Sequence, residues 1–438
     1  MNNLIQLITN PALISVVLLC ILCVRKINVL LSIIIATLCA GLISGMNIKH
    51  VMDVFISGMG GNSETALSYI LLGAFAATMA HSGFTDVISN KITTLVSGKK
   101  FILFIILILI AMASQNIIPI HIAFIPIIIP PLLGVMNSLK IDRRAVACTL
   151  AFGLKMPYIV IPVGFGLIFQ NLIADNMIQN GVSVLRGDIW KSTLILGLGM
   201  LAGLLVAIFV SYRKPRIYEN KNITENNIKE AKFRKRHWII ILAAITTFVV
   251  QLLTKSLPLG ALVGLGIIFT FRVIPQEKMD HMMNEGIYMM GYVAFVMLVA
   301  AGFASVLKET GAIETMVSLI LNYLPHNIIL TSLIILILGL FITIGIGTSF
   351  GTIPIIAVLF VPVCVKMGFS PEQIIILIAA AAALGDAGSP ASDTTLGPTS
   401  GLNADGQHNH IFDTCIPTFL HFNTALILFA LIGIWLLG

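Results

Sequence analysis

Residues 381–410 read AAALGDAGSPASDTTLGPTSGLNADGQHNH, and this stretch decides how the rest of the chain is interpreted. It places two aspartates and a series of hydroxyl side chains, glycines and prolines directly after a run of alanines. The chain around it is 58% hydrophobic, so a helix that breaks here breaks inside an apolar body. In hydrocarbon, a broken helix is tolerated only where its freed N–H and C=O groups meet protein, water or a ligand. The stretch therefore predicts a functional interruption of a membrane helix.

The composition predicts an integral membrane protein. Only 10% of the 438 residues are charged, and the mean hydropathy is +1.01. Apolar runs recur from residues 12–24 to residues 418–437, which gives more all-round apolar helices than a soluble chain can bury. We expect no soluble domain of any size. The first apolar run follows no basic residue, so it is interpreted as a retained span and not as a signal peptide.

The net charge of +7 does not indicate a nucleic-acid partner. Nine of the 26 lysines and arginines lie in residues 213–237, which contain three acids. A basic excess between membrane spans marks the cytoplasmic side, so this segment is predicted to be a cytoplasmic loop. The six cysteines are scattered through apolar runs and imply no disulfide framework.

The sequence matches itself when it is shifted by 228 positions. Gly73–Ile92 (GAFAATMAHSGFTDVISNKI) falls on Ala301–Ile320 (AGFASVLKETGAIETMVSLI), and Pro162 falls on Pro390. Prolines and glycines shared at one constant offset are typical of the internal repeats of secondary transporters. The predicted divisions are a first transmembrane repeat over residues 1–212, a basic cytoplasmic linker over residues 213–237, and a second transmembrane repeat over residues 238–438.

Loop charges and helix lengths predict that the two repeats are inverted. If the basic loops before residue 101 and after residue 136 are cytoplasmic, the chain between them leaves the cytoplasm and returns. Its first arm, Phe101–Ser114, spans only about 21 Å of a hydrocarbon core of about 30 Å. We therefore predict re-entrant hairpins at 101–136 and 329–366. Each half then has about five transmembrane helices plus a hairpin and an interrupted helix. Two full spans in place of a hairpin keep the number of crossings odd, so the inversion does not depend on this choice.

Four breaks near the middle of the membrane are expected to meet at one site. Each half supplies a hairpin tip and an interrupted helix, and an inverted symmetry axis brings the two pairs together. The breaks are predicted at Gln115–Asn116, Gly347–Thr352, Lys155–Pro162 and Asp386–Thr395.

The last of these breaks has the side chains of a cation site. Carboxylates, hydroxyls and free carbonyls are the hard oxygen ligands that a small cation needs, and an aspartate can instead carry a proton. The alternative is a solvated loop outside the membrane, an interpretation at least as good from residue 401 onward. The predicted cation or proton ligands are Asp386, Ser389, Ser392, Asp393 and Thr394. Na⁺ at Asp386 and Asp393 is the only metal ion that the sequence suggests.

Lys155 is the other informative charge. Its repeat partner is Ala383, while Asp386 is the partner of Tyr158, so the repeated fold does not itself require these charges. Lys155 can pair with an aspartate across the site, or it can hold a substrate carboxylate, helped by the positive ends of the broken helices. The predicted substrate-binding residues are Ser114, Gln115, Asn116, Lys155, Thr348, Ser349, Thr352 and Thr395.

The stretch GDAGSPASDTTLGPTSGLNADGQHNHIFDTCIPTF (385–419) resembles the NhaC-type Na⁺/H⁺ antiporter family, and more closely its YuiF-like branch. The N-terminal NPALISVVLLCILCVRKINVLLSIIIATLCAGLISG (10–45) resembles the same branch. The resemblance covers essentially the whole chain. It implies the ion-transporter superfamily fold with two inverted repeats, an elevator-like motion in a homodimer, and a place in the bacterial cytoplasmic membrane. It also implies a cation site at the matched residues Asp386, Ser389, Asp393 and Thr394.

Two functions follow from these observations, and both are membrane transport. The first is cation-coupled secondary active transport of a small amino acid, which Lys155 favours. The alternative is Na⁺/H⁺ antiport with no organic substrate, since members of the branch are described in both ways. An ion channel is less favoured because facing hairpin tips suit an occluded site. An enzyme is not expected because H-E-x-x-H does not occur and GDAGSP (385–390) lacks the partner acid motif of an intramembrane aspartyl protease. The expected partners are membrane lipid and a small amino acid or inorganic cation, with Na⁺ or H⁺ as coupling ion and no cofactor.

Overall fold

The computed structural model describes residues 6, 9–25, 27–84, 100–116, 125–219, 233–254, 256–312, 315, 327–346, 348–390 and 392–437. All regular elements within these residues are helices, and the described part of the chain contains no strand. The prediction of an all-α protein is confirmed.

The helices follow one another with short connections. Their bounds are α1 (Pro11–Val24), α2 (Val29–Ile43), α3 (Ile48–Met59), α4 (Ser63–His81), α5 (Lys100–Asn116), α6 (Ile125–Ser138), α7 (Arg143–Val160), α8 (Phe165–Gln179), α9 (Arg186–Ser211), α10 (Lys235–Thr254), α11 (Leu257–Thr270), α12 (Met279–Glu309), α13 (Ile328–Ile346), α14 (Ser349–Lys366), α15 (Pro371–Ala383), α16 (Asp393–Leu402) and α17 (His410–Leu436).

Several helices begin where the sequence supplies a cap. Asn28, Asn47 and Asp142 each accept a hydrogen bond from a backbone N–H in the first turn that follows. Ser370 and Gln373 form a reciprocal capping box before α15. These side chains satisfy donors that the first helical turn leaves without an intrahelical partner.

Four helices of the described chain are long and apolar enough to cross a membrane: α9, α14, α17 and the Met290–Glu309 part of α12. α7 and α8 qualify together as a fifth span with a bend of 47°. Shorter apolar helices of 10–17 residues accompany them. The chain is thus a polytopic membrane protein. The predicted number of crossings in each half stays a prediction.

The helices pack as two bundles. The first contains α1–α4 and α10–α12, with α12 lying along α4 and α3. The second contains α5–α9 and α13–α17, in which α8 packs on α14 and α6 packs on α16. The bundles meet where α12 contacts α14 and where α1 contacts α13.

The first interrupted helix breaks later than the sequence predicted. α7 continues through Lys155 and ends at Val160, and α8 begins at Phe165. Ile161 has extended backbone angles (φ −95°, ψ 117°) because a residue before a proline is pushed out of the helical region, and Pro162 follows it. Lys155 is therefore held on a rigid helix and is not part of the break.

The second interruption begins and ends earlier than predicted. α15 ends at Ala383 and α16 begins at Asp393, so Thr394 and Thr395 lie in the first turn of a helix. The reason is Ser392, which caps α16 by accepting a hydrogen bond from the Thr394 backbone N–H.

The predicted hairpin arms are helices with somewhat different lengths. α5 has 17 residues, three more than the arm predicted from its apolar run. α5 continues through Gln115 and Asn116, so the chain does not break at these two residues as predicted, and residues 117–124 lie outside the described residues. α14 begins at Ser349, so Thr352 of the second predicted break is helical. α14 is itself long enough to span a membrane. The choice between hairpins and full spans stays a prediction.

Helix starts recur at one spacing along the chain. Four helices of the first half begin 228 residues before four helices of the second half: α2 and α11, α5 and α13, α7 and α15, and α8 and α16. The same packing contact also recurs at this spacing. A Cβ added to Gly153 would lie 2.6 Å from the Cβ of Ala111, and one added to Gly339 would lie 2.6 Å from the Cβ of Ala381.

Candidate functional site

Asp386 is the centre of a buried polar site in the second bundle. It lies in the turn between α15 and α16, and 8% of its side chain is exposed. Its Oδ2 accepts a hydrogen bond of 2.6 Å from Ser349, the first residue of α14. Its Oδ1 accepts a hydrogen bond from the hydroxyl of Ser392. The interpretation of residues 385–395 as a solvated loop is therefore wrong for this carboxylate.

Lys155 supplies the counter-charge. Its Nζ lies 2.8 Å from Asp386 Oδ2, and 1% of its side chain is exposed. The sequence left two interpretations of Lys155 open, an ion pair with an aspartate or a contact with a substrate carboxylate. The structure shows the ion pair. Apart from this contact, the described residues offer Nζ no hydrogen-bond partner. A buried pair is stable only while both charges are present, because removing one leaves the other desolvated and uncompensated.

Hydroxyl groups fill the space beyond the carboxylate. Thr394 donates to the backbone carbonyl of Asp386 at 3.0 Å, and its hydroxyl oxygen is 2.8 Å from that of Ser392. Thr395 donates to the backbone carbonyl of Ser389 at 2.5 Å. The side chains of Ser389, Ser392, Thr394 and Thr395 are all buried. The broken turn thus gathers carboxylate, hydroxyl and carbonyl oxygens within a few ångströms, which is the donor set that a hard cation prefers.

Two helix N-termini face this oxygen cluster. α14 begins at Ser349, and α16 begins directly after Ser392. The unpaired N–H groups of a first turn carry a partial positive charge. They stabilise the Asp386 carboxylate as an anion and help to explain why it can be charged so far from water.

Tyr158 is a site residue that the sequence analysis did not select. Its hydroxyl donates to Asp386 Oδ2 at 3.2 Å and lies 3.0 Å from the Ser349 hydroxyl. Its ring is 5.4 Å from that of Phe350, which is in turn 5.6 Å from Tyr69 of the first bundle. An aromatic layer therefore separates the carboxylate from the neighbouring bundle. The signal was available, since Tyr158 is the repeat partner of Asp386.

The other predicted residues are placed less centrally or are not described. Ser114 is buried but donates to Ala111 within its own helix. Thr348 occupies the N-cap position of α14 without a side-chain capping hydrogen bond, and the Thr352 hydroxyl donates to the Thr348 carbonyl at 2.6 Å. The side chains of Gln115, Asn116 and Asp393 lie outside what the structure describes.

The turn that carries Asp386 depends on Gly388. This residue has φ +119°, a conformation that side chains rarely adopt, and an added Cβ would lie 2.7 Å from Phe419 Cα and 2.8 Å from Phe419 N. We expect Gly388→Ala to lower the thermal midpoint of the purified protein, by the equivalent of about 2 kcal/mol or more. Gly134→Ala is the control, because a Cβ there meets nothing within 4 Å. A midpoint for Gly388→Ala equal to that of Gly134→Ala contradicts this account.

A second polar cluster, which we call the ionic cluster, is built from Arg143, Asp405, Tyr218, Arg216 and Asp413. Arg143 and Asp405 form a bidentate ion pair with buried side chains, in which the two guanidinium N–H groups donate to the two carboxylate oxygens at 2.7 and 2.5 Å. The Arg143 guanidinium lies 4.2 Å from the Tyr218 ring, and Arg216 pairs with Asp413 at 2.8 Å. Burial raises the pKa of the Asp405 carboxyl, but the hydrogen bonds from Arg143 help to lower it by more. The pKa therefore lies below its usual range. The cluster ties Arg216 and Tyr218, at the start of the predicted linker, to Asp405 and Asp413 in the stretch 385–419.

His408 makes this region sensitive to pH. Burial lowers its pKa to about 4, and its Nε2 lies 2.7 Å from the Thr414 hydroxyl. Between the ordinary pKa of about 6.5 and the folded value, only the unfolded chain takes up a proton at this residue. Acidification from pH 6.5 towards 4 therefore favours unfolding, by up to about 3 kcal/mol.

We accordingly expect the thermal midpoint of the wild type to fall across this pH range and the slope to be smaller in His408→Gln. His50→Gln is the control, since His50 is 54% exposed. Thermal unfolding followed by intrinsic fluorescence measures both slopes. Equal slopes in wild type and His408→Gln would contradict the assignment.

Comparisons with known proteins cover nearly the whole chain. A family model described as the Na⁺/H⁺ antiporter family matches residues 148–434, and a second model of the same description matches residues 10–96. An uncharacterized membrane protein of Vibrio parahaemolyticus is 45% identical over 437 residues, which cover 97% of this chain and 99% of that protein. A Bacillus subtilis protein named "Putative amino acid transporter YuiF" is 44% identical over 403 residues, which cover 89% of this chain and 91% of that protein.

The fold is similar to that of a solved transporter structure. The crystal structure of the YdaH transporter of Alcanivorax borkumensis superposes with a TM-score of 0.60 at 12% identity. The match covers 89% of this chain and 88% of that chain.

Proposed function

The chain belongs to the NhaC-type Na⁺/H⁺ antiporter family, and from this premise we propose that it is a cation-coupled secondary active transporter in which Asp386 carries the coupling ion, Na⁺ or H⁺. The observation that carries the proposal is the buried pair of Asp386 with Lys155 at a broken helix. Ionisable side chains within a membrane are costly and typically mark ion or substrate pathways.

The coupling ion and Lys155 compete for the same carboxylate. A cation that reaches Asp386 finds the hydroxyls of Ser349 and Ser392 and the carbonyls of the broken turn as further ligands. It displaces the ammonium from Oδ2, so one positive charge replaces another. Lys155 is then a buried cation without a partner, and it binds the next anion available.

That anion is the carboxylate of a small amino acid. The relative from Bacillus subtilis is named as an amino acid transporter, which supports this cargo. The charge exchange gives an order of events, in which the coupling ion binds first and frees Lys155 for the substrate. The polar residues at the end of α5 (Ser114, Gln115 and Asn116) and at the starts of α14 and α16 (Thr348, Thr352 and Thr395) are proposed to contact the rest of the substrate. Ser389 and Asp393 are proposed to complete the cation site.

The second candidate is Na⁺/H⁺ antiport without an organic cargo. The family description favours it, and so does the neutrality of the Lys155–Asp386 pair. In this version Lys155 returns to Asp386 whenever the cation leaves, and no substrate carboxylate is needed.

Proteoliposomes separate the two candidates. Counterflow of radiolabelled amino acids into loaded vesicles is expected for the first. Sodium-driven movement of protons, reported by a trapped pH dye with no organic cargo present, is expected for the second. Purified protein that reconstitutes correctly and gives neither signal overturns the proposal of a cation-coupled transporter.

Two inverted repeats, residues 1–212 and 238–438, are part of the proposal. The recurrence of helix starts at a spacing of 228 residues supports them. So does the contact between Tyr158 and Asp386, because residues related by a two-fold axis touch only near that axis. The site lies in the second bundle beside the first, so alternating access is proposed as an elevator-like motion of one bundle against the other.

The proposed setting is the bacterial cytoplasmic membrane, with residues 213–237 on the cytoplasmic side. The basic charge of this linker supports the orientation. The protein is proposed to act as a homodimer, as the resemblance to the family implies.

A further inference from the structure

A group of three potential metal ligands lies in the first bundle, away from Asp386. His81 is the last residue of α4, and His281 and Glu285 lie in the first two turns of α12. Each offers a ring nitrogen or carboxylate oxygen, and these atoms lie within 4.8 Å of one another. His81 Nδ1 is 3.3 Å from one Glu285 oxygen, and His281 Nδ1 is 3.6 Å from the other.

The packing of the two helices fixes this arrangement. His281 and Glu285 are four residues apart, so they project from the same face of α12. The face is pressed against α4, where a Cβ on Gly73 would lie 2.6 Å from the carbonyl oxygen of Gly286. Two glycines thus bring the helix backbones together and place His81 opposite the α12 pair.

His81 Nδ1 is the ring nitrogen that faces Glu285. It lies 3.3 Å from the Glu285 carboxylate and 3.2 Å from the carbonyl oxygen of Ala77, one turn earlier in α4. In the tautomer that carries its proton on Nε2, Nδ1 is unprotonated and can bind a metal. The side chains are also accessible, since His81, His281 and Glu285 are 39%, 62% and 36% exposed.

We propose that these three side chains bind one divalent transition-metal ion of the Zn²⁺ type. Two imidazoles and one carboxylate form a ligand set that zinc uses with water in the remaining position. Ligand atoms around tetrahedral zinc are separated by roughly 3.3 Å, which small rotations of these exposed side chains reach. The bound ion joins α4 to α12 within one bundle. It does not compete with the coupling ion at Asp386.

The test is zinc binding to tag-free purified protein at pH 7.5, by equilibrium dialysis with ⁶⁵Zn²⁺ and by the zinc-dependent rise of the thermal midpoint. We expect one saturable site in the wild type, weakened at least tenfold in His281→Ala and in Glu285→Gln. His50→Ala is the matched control, because His50 faces Glu309 at 3.6 Å without a second histidine among the described residues, and binding should be unchanged.

Three results overturn the proposal: no saturable zinc binding in the wild type, full binding in the His281→Ala and Glu285→Gln variants, or equal weakening in His50→Ala. Absorption of bound Co²⁺ in the visible range is a second readout that a merely structural role of these residues would not produce. Asp386→Asn should keep full zinc binding, so a failed transport assay and a failed metal site are distinguishable.

Discussion

Asp386→Asn is expected to reduce cation-coupled flux in proteoliposomes by at least about a hundredfold, since a neutral amide cannot hold the coupling ion and loses contacts of about 1.5–3 kcal/mol each. The variant keeps the shape of the side chain but leaves the Lys155 ammonium buried without its partner. Flux is measured as uptake of labelled substrate or of ²²Na⁺ under an imposed gradient. The matched control is Asp175→Asn, whose carboxylate forms an exposed pair with Arg186, and it should transport normally.

The loss must be separated from unfolding. Removing one partner of a buried ion pair destabilises a protein by about 3–5 kcal/mol, so Asp386→Asn alone is expected to be less stable. The double variant Lys155→Met with Asp386→Asn has no unpaired charge, and we expect its thermal midpoint to recover while transport stays absent. Normal flux in either Asp386→Asn variant contradicts the assigned role of this residue.

Lys155→Met is expected to raise the apparent substrate constant by roughly ten- to hundredfold, which is the value of one lost charge-assisted contact. If Lys155 receives the substrate carboxylate, this constant changes much more than the dependence of transport on sodium. Initial rates at varied substrate and varied sodium concentrations give both constants. Lys191→Met is the control, since its pair with Asp188 is exposed.

The opposite pattern has a definite meaning. A large change in sodium dependence, with no organic substrate that depends on Lys155, indicates that this lysine is only the counter-ion of Asp386. That outcome contradicts amino acid transport through Lys155 and favours Na⁺/H⁺ exchange.

The sequence predicted the membrane class and the polar side chains that the structure brings together around Asp386, because both depend on local composition. Asp386, Ser392 and Thr394 were selected from one helix break in an apolar chain, and the shift of 228 residues pointed to the other interrupted helix, in which Lys155 lies before the break. The bounds of the breaks were less accurate. Pro162, and the cap at Ser392, decide where the helices stop and start.

Contacts between residues that are far apart in the sequence could not be predicted from local composition. Arg143 and Asp405 are 262 residues apart, and Arg143 follows a span where basic residues are ordinarily interpreted as topology signals. His81 and His281 are likewise brought together only by helix packing. Tyr158 is different, because the repeat alignment already paired it with Asp386, and the proposed two-fold axis through the site would make that pair a contact.

The central claim is that the coupling ion and Lys155 compete for the Asp386 carboxylate. Thermal unfolding of the wild type, Lys155→Met and the double variant with Asp386→Asn, measured across a matrix of Na⁺ concentrations and pH, tests it most directly. A ligand that binds only the folded state raises the midpoint with its concentration. We predict that Na⁺ or acidification stabilises Lys155→Met more than the wild type, since its carboxylate has lost its partner, and that the double variant loses this extra response. Equal responses of all three proteins to both ions would contradict the account.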